Sequence, residues 1–175
     1  SWQRHYNHFP QEQMERLTGY TGIEIYNGVV ERLEWSALAT DRWDRLLSSG
    51  RRVWGFAHDD SHAPRDIARG WNVVQAGDRS VDALCDALRH GRFYASTGVD
   101  ITRIAVDDGR AIFIDAPGAQ RIRFLGAWGV ELTCANASEA RYEVTGGEGG
   151  YVRVECHGDG AKTAWTQPFF ISETE

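Results

Sequence analysis

The pattern of this chain changes near residue 98, and that change limits the folds it can adopt. Before it, segments with helical periodicity alternate with short strand-like segments. The predicted helices cover residues 10–17, 42–49 and 81–90, and the predicted strands cover residues 21–26, 51–57, 71–75 and 92–96. Such alternation is typical of a parallel sheet with crossover helices, so we predict an α/β domain over residues 1–98.

After residue 98 the chain contains only short alternating runs, many of them separated by glycine-rich turns. The predicted strands cover residues 101–106, 111–114, 121–125, 131–134, 142–144, 151–157 and 163–170. Strands this short and this closely spaced are typical of an antiparallel sandwich or barrel. We therefore predict an all-β domain, a small antiparallel β-sandwich, over residues 99–175.

Composition narrows the class of protein. A hydrophobic content of 42% and a charged content of 25% are those of a folded globular chain. The net charge of -6 is spread without long runs, which argues against a nucleic-acid-binding surface. No segment approaches the roughly twenty apolar residues of a membrane span. Three widely spaced cysteines without a CxxC pair favour free thiols and a cytoplasmic location.

The most distinctive chemistry lies in residues 58–62, directly after the predicted strand 51–57. Asp60 and His62 offer a carboxylate and an imidazole from one short segment. An oxygen and a nitrogen ligand together suit Zn, Mn or Fe better than Ca. The alternative is an acidic loop that turns the chain, with His62 at the surface.

Other residues could complete such a site, because zinc sites need about three protein ligands. Glu24 and His8 are further candidate ligands, although Glu24 could instead be a solvated or arginine-paired strand residue. Asn27 follows a predicted strand, where functional residues of parallel sheets collect. Arg65 could hold an anionic group such as phosphate, or contribute only surface charge.

Four segments taken together resemble a known family. Residues 22–28 read GIEIYNG, residues 42–51 include RWDRLL and GR, residues 54–62 read WGFAHDDSH, and residues 91–98 read GRFYASTG. In this order they resemble the C-terminal half of a PHP (polymerase and histidinol phosphatase) domain, most closely of the CehA/McbA type. The segments 151–155 and 164–168 resemble the small β-domain that often follows it.

The resemblance implies the C-terminal part of a (βα)7 barrel that hydrolyses phosphate esters with two or three metal ions. Its last metal motif, Asp-x-His, maps onto Asp60 and His62. The family's earlier metal motifs have no clear counterpart from Ser1 onwards, and His8 with Pro10 is only a poorly spaced match to one of them. The resemblance thus implies a truncated protein with an incomplete metal site, weak metal binding and little activity alone.

Two hypotheses follow for function. The first is a fragment of a metal-dependent phosphoesterase that acts on an anionic or phosphorylated small molecule. The alternative is a non-catalytic binding or assembly module. Because part of a barrel leaves sheet edges unpaired, we also expect self-association through an exposed edge.

Overall fold

The computed structural model describes residues 9–33 and 35–171, which form four α-helices, twelve strands and three short 3-10 turns. The helices are α1 (Gln11–Arg16), α2 (Gly28–Arg32), α3 (Thr40–Ser48) and α4 (Val81–Arg89). The first strands are β1 (Gly22–Asn27), β2 (Trp54–His58), β3 (Trp71–Val74), β4 (Phe93–Ser96), β5 (Arg103–Asp107) and β6 (Ala111–Asp115). The others are β7 (Ala119–Leu125), β8 (Glu131–Ala135), β9 (Glu139–Glu143), β10 (Tyr151–Gly158), β11 (Thr163–Thr166) and β12 (Phe169–Phe170). None of the helices in this part of the chain is long and apolar enough to cross a membrane.

Strands β1 and β2 form a two-stranded parallel pair that packs on helix α3. The buried stripe of α3 consists of Trp43, Leu46 and Leu47, spaced as a helix facing a core requires. Trp43 donates from Nε1 to the Val53 carbonyl at 2.9 Å. Its ring fills the space where a β-carbon on Gly55 would lie, at 2.8 Å, so only glycine fits there. The predicted helix over residues 42–49 is confirmed.

The predicted (βα)7 barrel part is not seen in residues 9–33 and 35–171. Only β1 and β2 pair in parallel among the described strands, whereas β3 and β4 pair antiparallel to each other. β4 then pairs with β11, which joins residues before 98 to the later strands. The prediction was wrong because helix–strand alternation does not show which strand from elsewhere in the chain will pair with β4. The division after residue 98 stays a prediction, and this sheet includes strands from both sides of it.

Two antiparallel sheets make up most of the structure. The seven-stranded sheet has the order β3-β4-β11-β10-β7-β8, with β12 paired to β10, and the other sheet has the order β5-β6-β9. Ile112 and Ile114 of β6 pack in one core cluster with Phe124 of β7 and Val152 of β10. This packing agrees with the predicted β-sandwich-like C-terminal part.

A buried ion pair connects α3 to β10. Arg153 donates from Nε and Nη2 to the two carboxylate oxygens of Asp44, both at 2.7 Å, and from Nη1 to Glu155 at 2.7 Å. Tyr151 also donates to Asp44, at 2.8 Å. Burial alone would lower the pKa of Arg153, but the hydrogen bonds and charge of Asp44 raise it above the ordinary value. The guanidinium therefore stays charged inside the protein.

The three cysteines are free, as the sequence predicts. Cys156 is buried in β10, and burial raises the pKa of its thiol to about 12. Such a thiol stays protonated at neutral pH and acts as a small core side chain.

Candidate functional site

The carboxyl ends of the two parallel strands lie side by side. Asn27 at the end of β1 is in register with His58 at the end of β2. Glu24 lies within β1, and Asp60 follows β2 by two residues. These four residues, Glu24, Asn27, His58 and Asp60, are here called the strand-end cluster. Three of the residues that the sequence singles out, Glu24, Asn27 and Asp60, therefore lie together at one edge of the parallel pair.

Asn27 connects the two carboxylates of the strand-end cluster. Its Nδ2 donates to Glu24 Oε2 at 3.2 Å and to Asp60 Oδ2 at 3.3 Å. Its Oδ1 accepts from the Val30 N–H at 2.9 Å and caps helix α2. Helix α2 begins directly after Asn27, and the cap fixes the orientation of the amide. Asn27 thus holds two acidic groups that would otherwise repel each other.

The imidazole of His58 completes the strand-end cluster. His58 Nδ1 lies 3.2 Å from Glu24 Oε1, and both side chains are partly exposed. The ring of His58 also stacks on Phe56, with centroids 5.9 Å apart and planes at 11°. The cluster therefore presents two carboxylates and one imidazole at a single edge, open to solvent.

A pocket of about 510 Å³ opens beside this edge. Glu24, Asn27, Asp60 and Arg42 give it polar groups, and Arg42 also donates from Nη1 to the Phe9 carbonyl at 2.7 Å. The rest of the wall is mainly apolar and includes Phe9, Met14, Leu17, Tyr20, Ile23 and Ala39. A volume of this size accepts a small organic molecule, and the polar groups would orient it.

Asp60 has an unusual backbone, with φ of 53°. Aspartate is one of the few residues found in this left-handed region, and such residues often occur at functional sites. The conformation turns the chain so that His62 comes back toward Asp60. His62 Nδ1 lies 2.5 Å from the Asp60 carbonyl oxygen and 4.0 Å from Asp60 Oδ1. The predicted pair is thus adjacent, with His62 exposed and turned toward the Asp60 backbone.

Two neighbouring aspartates make structural contacts that no sequence pattern predicts. The carboxylate of Asp59 accepts from the N–H groups of Ala68, Arg69 and Gly70 at 2.9, 2.6 and 2.9 Å. Burial raises the pKa of Asp59, but these three N–H groups outweigh it and hold the pKa below its ordinary value. Asp59 therefore ties the loop after β2 back on itself.

Asp66 closes the same loop from the other side. It is fully buried and accepts from the N–H groups of His62 at 3.1 Å and Ala63 at 2.9 Å. Arg32 of α2 contacts it through Nε at 2.7 Å. Burial raises the pKa of Asp66, but the His62 N–H and the Arg32 charge lower it by more. The loop carrying Asp60 is therefore anchored at Asp59 and Asp66.

The remaining predicted site residues do not join the cluster. Arg65 is exposed, and its backbone carbonyl accepts from Arg69 Nε at 3.3 Å. His8 lies outside the described residues. Across residues 9–33 and 35–171, no three His, Cys, Asp or Glu side chains are arranged to hold a metal ion.

Comparison with known families adds one match. Residues 53–93 match the family model described as PHP-associated. The matched segment contains β2, His58, Asp60 and helix α4, but covers a minority of the chain and excludes Glu24 and Asn27. No curated protein and no solved structure matches the chain.

Proposed function

We propose that this chain is the C-terminal part of a PHP-type metal-dependent hydrolase of the CehA/McbA kind, which in its full form cleaves phosphate esters. The observation that carries this proposal is the convergence of Glu24 and Asp60 on the amide of Asn27, beside a pocket. The PHP-associated match over residues 53–93 supports it, because Asp60 and His62 lie within that match.

The donor chemistry of the strand-end cluster fits a divalent metal ion in part. Two carboxylates and an imidazole are ligands that Zn, Mn and Fe accept. Glu24 Oε2 and Asp60 Oδ2 both accept from Asn27 Nδ2, at 3.2 and 3.3 Å, so the two carboxylates lie on one side-chain amide. We propose Glu24 and Asp60 as ligands, with His62 joining after rotation of its exposed ring. The missing ligands would come from outside the described residues, with His8 as one candidate.

A bound metal ion would lower the pKa of a water molecule and stabilise negative charge on a phosphoryl oxygen. The residues of this chain would bind and orient the substrate. Asn27 would keep the two carboxylates in place through its amide. Arg42 on the pocket wall would attract the anionic group, and Arg65 would add positive charge on the exposed loop. The apolar wall would receive the organic part of a phosphorylated small molecule.

Metal titration of the purified chain tests the site directly. We expect Mn²⁺ or Zn²⁺ to bind weakly by isothermal titration calorimetry. Asn27→Ala should weaken binding by about 10- to 100-fold, as is typical when a residue that positions metal ligands is lost. Asp60→Asn and Glu24→Gln should weaken it at least as much. Glu139→Gln, at an exposed carboxylate on β9, is the matched control and should bind like the unmodified chain.

Two results would reject the metal site: no binding by the unmodified chain, or equal binding by all three cluster variants. The catalytic part needs a separate measurement. The reading frame upstream of Ser1 should encode His-x-His, and the longer chain should hydrolyse a nitrophenyl phosphodiester. Asp60→Ala and His62→Ala in that longer chain should abolish the activity. A longer chain that binds metal but leaves the phosphodiester intact would refute the phosphoesterase proposal alone.

The alternative of a non-catalytic assembly module is favoured by a different observation, the exposed apolar side chains on edge strand β5. Assembly through β5 is also compatible with metal binding at the strand-end cluster, because the two lie in different sheets. We also propose a cytoplasmic location, since the three free thiols suit a reducing compartment.

A further inference from the structure

Strand β5 forms the outer edge of the three-stranded sheet. It pairs with β6 on one side, and no described strand pairs with its other side. Ile104 and Val106 are 42% and 50% exposed, although they lie opposite Ile114 and Ile112, which are buried. Directly opposite residues share one face of a sheet, so the core-facing row of β6 continues onto β5 and is uncovered there. The unpaired backbone of an edge strand with exposed apolar side chains is a template for another strand.

The sequence of β5 is complementary to itself in the antiparallel direction. It reads Arg-Ile-Ala-Val-Asp from residue 103 to residue 107. If two copies are related by a two-fold axis at Ala105, Arg103 of each copy lies opposite Asp107 of the other. The same register places Ile104 of each copy opposite Val106 of the other, on the opposite face of the sheet from the charged residues. Both charge pairs attract and both apolar pairs cover exposed surface.

We propose that a second copy of this chain pairs with β5 in this register and forms one continuous six-stranded sheet. Alternate residues of an edge strand direct N–H and C=O groups outward, and the second copy would satisfy them. The contact is isologous, so it closes after two copies and does not propagate into a fibre.

The charged side chains of β5 now make only contacts within their own chain that leave them exposed. The Arg103 guanidinium lies over the Phe113 ring of β6, at 5.0 Å from its centroid. Asp107 contacts Arg141 of β9 at 3.4 Å, and both of these side chains are half-exposed or more. An exposed pair of this kind contributes little stability, so Asp107 can add a contact across the new interface at little cost.

The other edges of the two antiparallel sheets do not offer this match. β9 reads Glu-Ala-Arg-Tyr-Glu, and the same two-fold pairing would bring Glu139 against Glu143 of the second copy. β8 would place Glu131 opposite Ala135, without an opposite charge. β3 is connected to β2 through Asn72, whose side chain bonds to both backbone groups of Ala57. Of the four outer strands of the two antiparallel sheets, β5 therefore fits a second copy best.

A charge-swap series tests the register. Sedimentation velocity of the whole chain over a range of concentrations should show a monomer–dimer equilibrium, weak because one strand pair buries little area. Arg103→Asp and Asp107→Arg, made singly, place like charges opposite each other twice per dimer. Each should raise the dissociation constant by about tenfold. The double variant restores both attractions and should return the constant to near its original value.

A second pair of variants tests the apolar face. Val106→Lys should abolish the dimer, because an inward-pointing lysine on an edge strand blocks pairing. Val130→Lys is the matched control at a similarly exposed valine, 58% against 50%, outside β5. Circular dichroism of every variant checks that the fold persists. A chain that stays monomeric at all concentrations, or a double variant that associates no better than the single ones, would overturn the proposal.

Discussion

The side-chain amide of Gln167 bonds to both backbone groups of Gly55. Its Oε1 accepts from the Gly55 N–H and its Nε2 donates to the Gly55 carbonyl, each at 2.9 Å. Asn72 makes the same two bonds to Ala57, at 3.1 and 2.9 Å. The two amides take the place of a further strand at the outer edge of β2. They therefore connect the parallel pair, and the candidate site at its end, to the seven-stranded sheet.

Replacing Gln167 should be costly. Gln167→Leu keeps a similar volume but leaves the buried N–H and C=O of Gly55 without partners. At about 1–3 kcal/mol for each of the two unsatisfied groups, we expect a loss of roughly 2–6 kcal/mol in the free energy of unfolding. Urea denaturation measures it. Gln120→Leu, at an exposed glutamine on β7, should change stability by less than about 0.5 kcal/mol. Equal stability of the two variants would contradict the role of Gln167.

The buried bidentate ion pair between Arg153 and Asp44 should make a large contribution to stability. Asp44→Ala leaves the buried guanidinium of Arg153 with only Glu155 as a charged partner, so we expect a loss of about 3–5 kcal/mol in the free energy of unfolding. Thermal and urea unfolding measure this loss. The double variant Asp44→Ala with Arg153→Met removes the buried guanidinium as well, and Glu155 keeps Arg123 as a charged partner, so it should cost less than Asp44→Ala alone. A double variant that costs as much as Asp44→Ala or more would show that the unpaired charge of Arg153 is not what destabilises the single variant.

A surface ion pair provides the control for that comparison. Arg92 contacts Asp86 at the end of α4, with both side chains well exposed. Arg92→Ala should cost less than about 1 kcal/mol, because solvent screens the pair. A cost equal to that of Asp44→Ala would mean that burial does not distinguish the two ion pairs.

Local features of this fold were predictable from sequence, and long-range pairing was not. Helix α4 begins after Ser80, whose side chain accepts from the Ala83 N–H at 3.2 Å as the capping pattern predicts. Glu24, Asn27 and Asp60 meet because their strands are parallel neighbours, which the alternation indicates. The pairing of Tyr94 with Thr166 was not predictable, because it depends on which strand from elsewhere in the chain reaches β4. Because β4 pairs antiparallel with β11, it cannot form part of the parallel barrel that the alternation predicts.

The structural aspartates could not be found from sequence for a related reason. Asp59 and Asp60 are adjacent and chemically identical, yet Asp59 bonds to three backbone N–H groups about ten residues away, and Asp60 faces the pocket. The difference comes from the positive φ of Asp60, which separates the two side-chain directions. A sequence pattern gives no information on that backbone angle when neither residue is glycine.

Because only Asp59 bonds to the loop backbone, replacing Asp59 should change amide exchange in the loop and replacing Asp60 should not. Asp59→Ala should release the loop, so that the amide protons of Ala68, Arg69 and Gly70 exchange faster and the free energy of unfolding falls by about 1–3 kcal/mol. Asp60→Ala should leave that amide exchange unchanged. Hydrogen exchange followed by mass spectrometry measures both. Faster exchange of these amides in Asp60→Ala, or none in Asp59→Ala, would contradict the assignment.

Glu148 should make stability depend on acid pH. Its buried carboxylate accepts from Tyr142 OH, Thr145 N–H and Gly146 N–H at 2.6–2.9 Å. Burial raises its pKa, but these donors outweigh burial and lower it from 4.5 to about 2. A lowered pKa in the folded state adds stability above pH 4.5, and this stability is lost as the pH falls toward 2.

Glu148→Gln should therefore flatten the decline of the urea midpoint between pH 4.5 and 2. Glu143→Gln, at an exposed carboxylate on β9, is the control and should follow the unmodified chain. Equal slopes for the Glu148→Gln variant and the unmodified chain would show that Glu148 is not the group responsible.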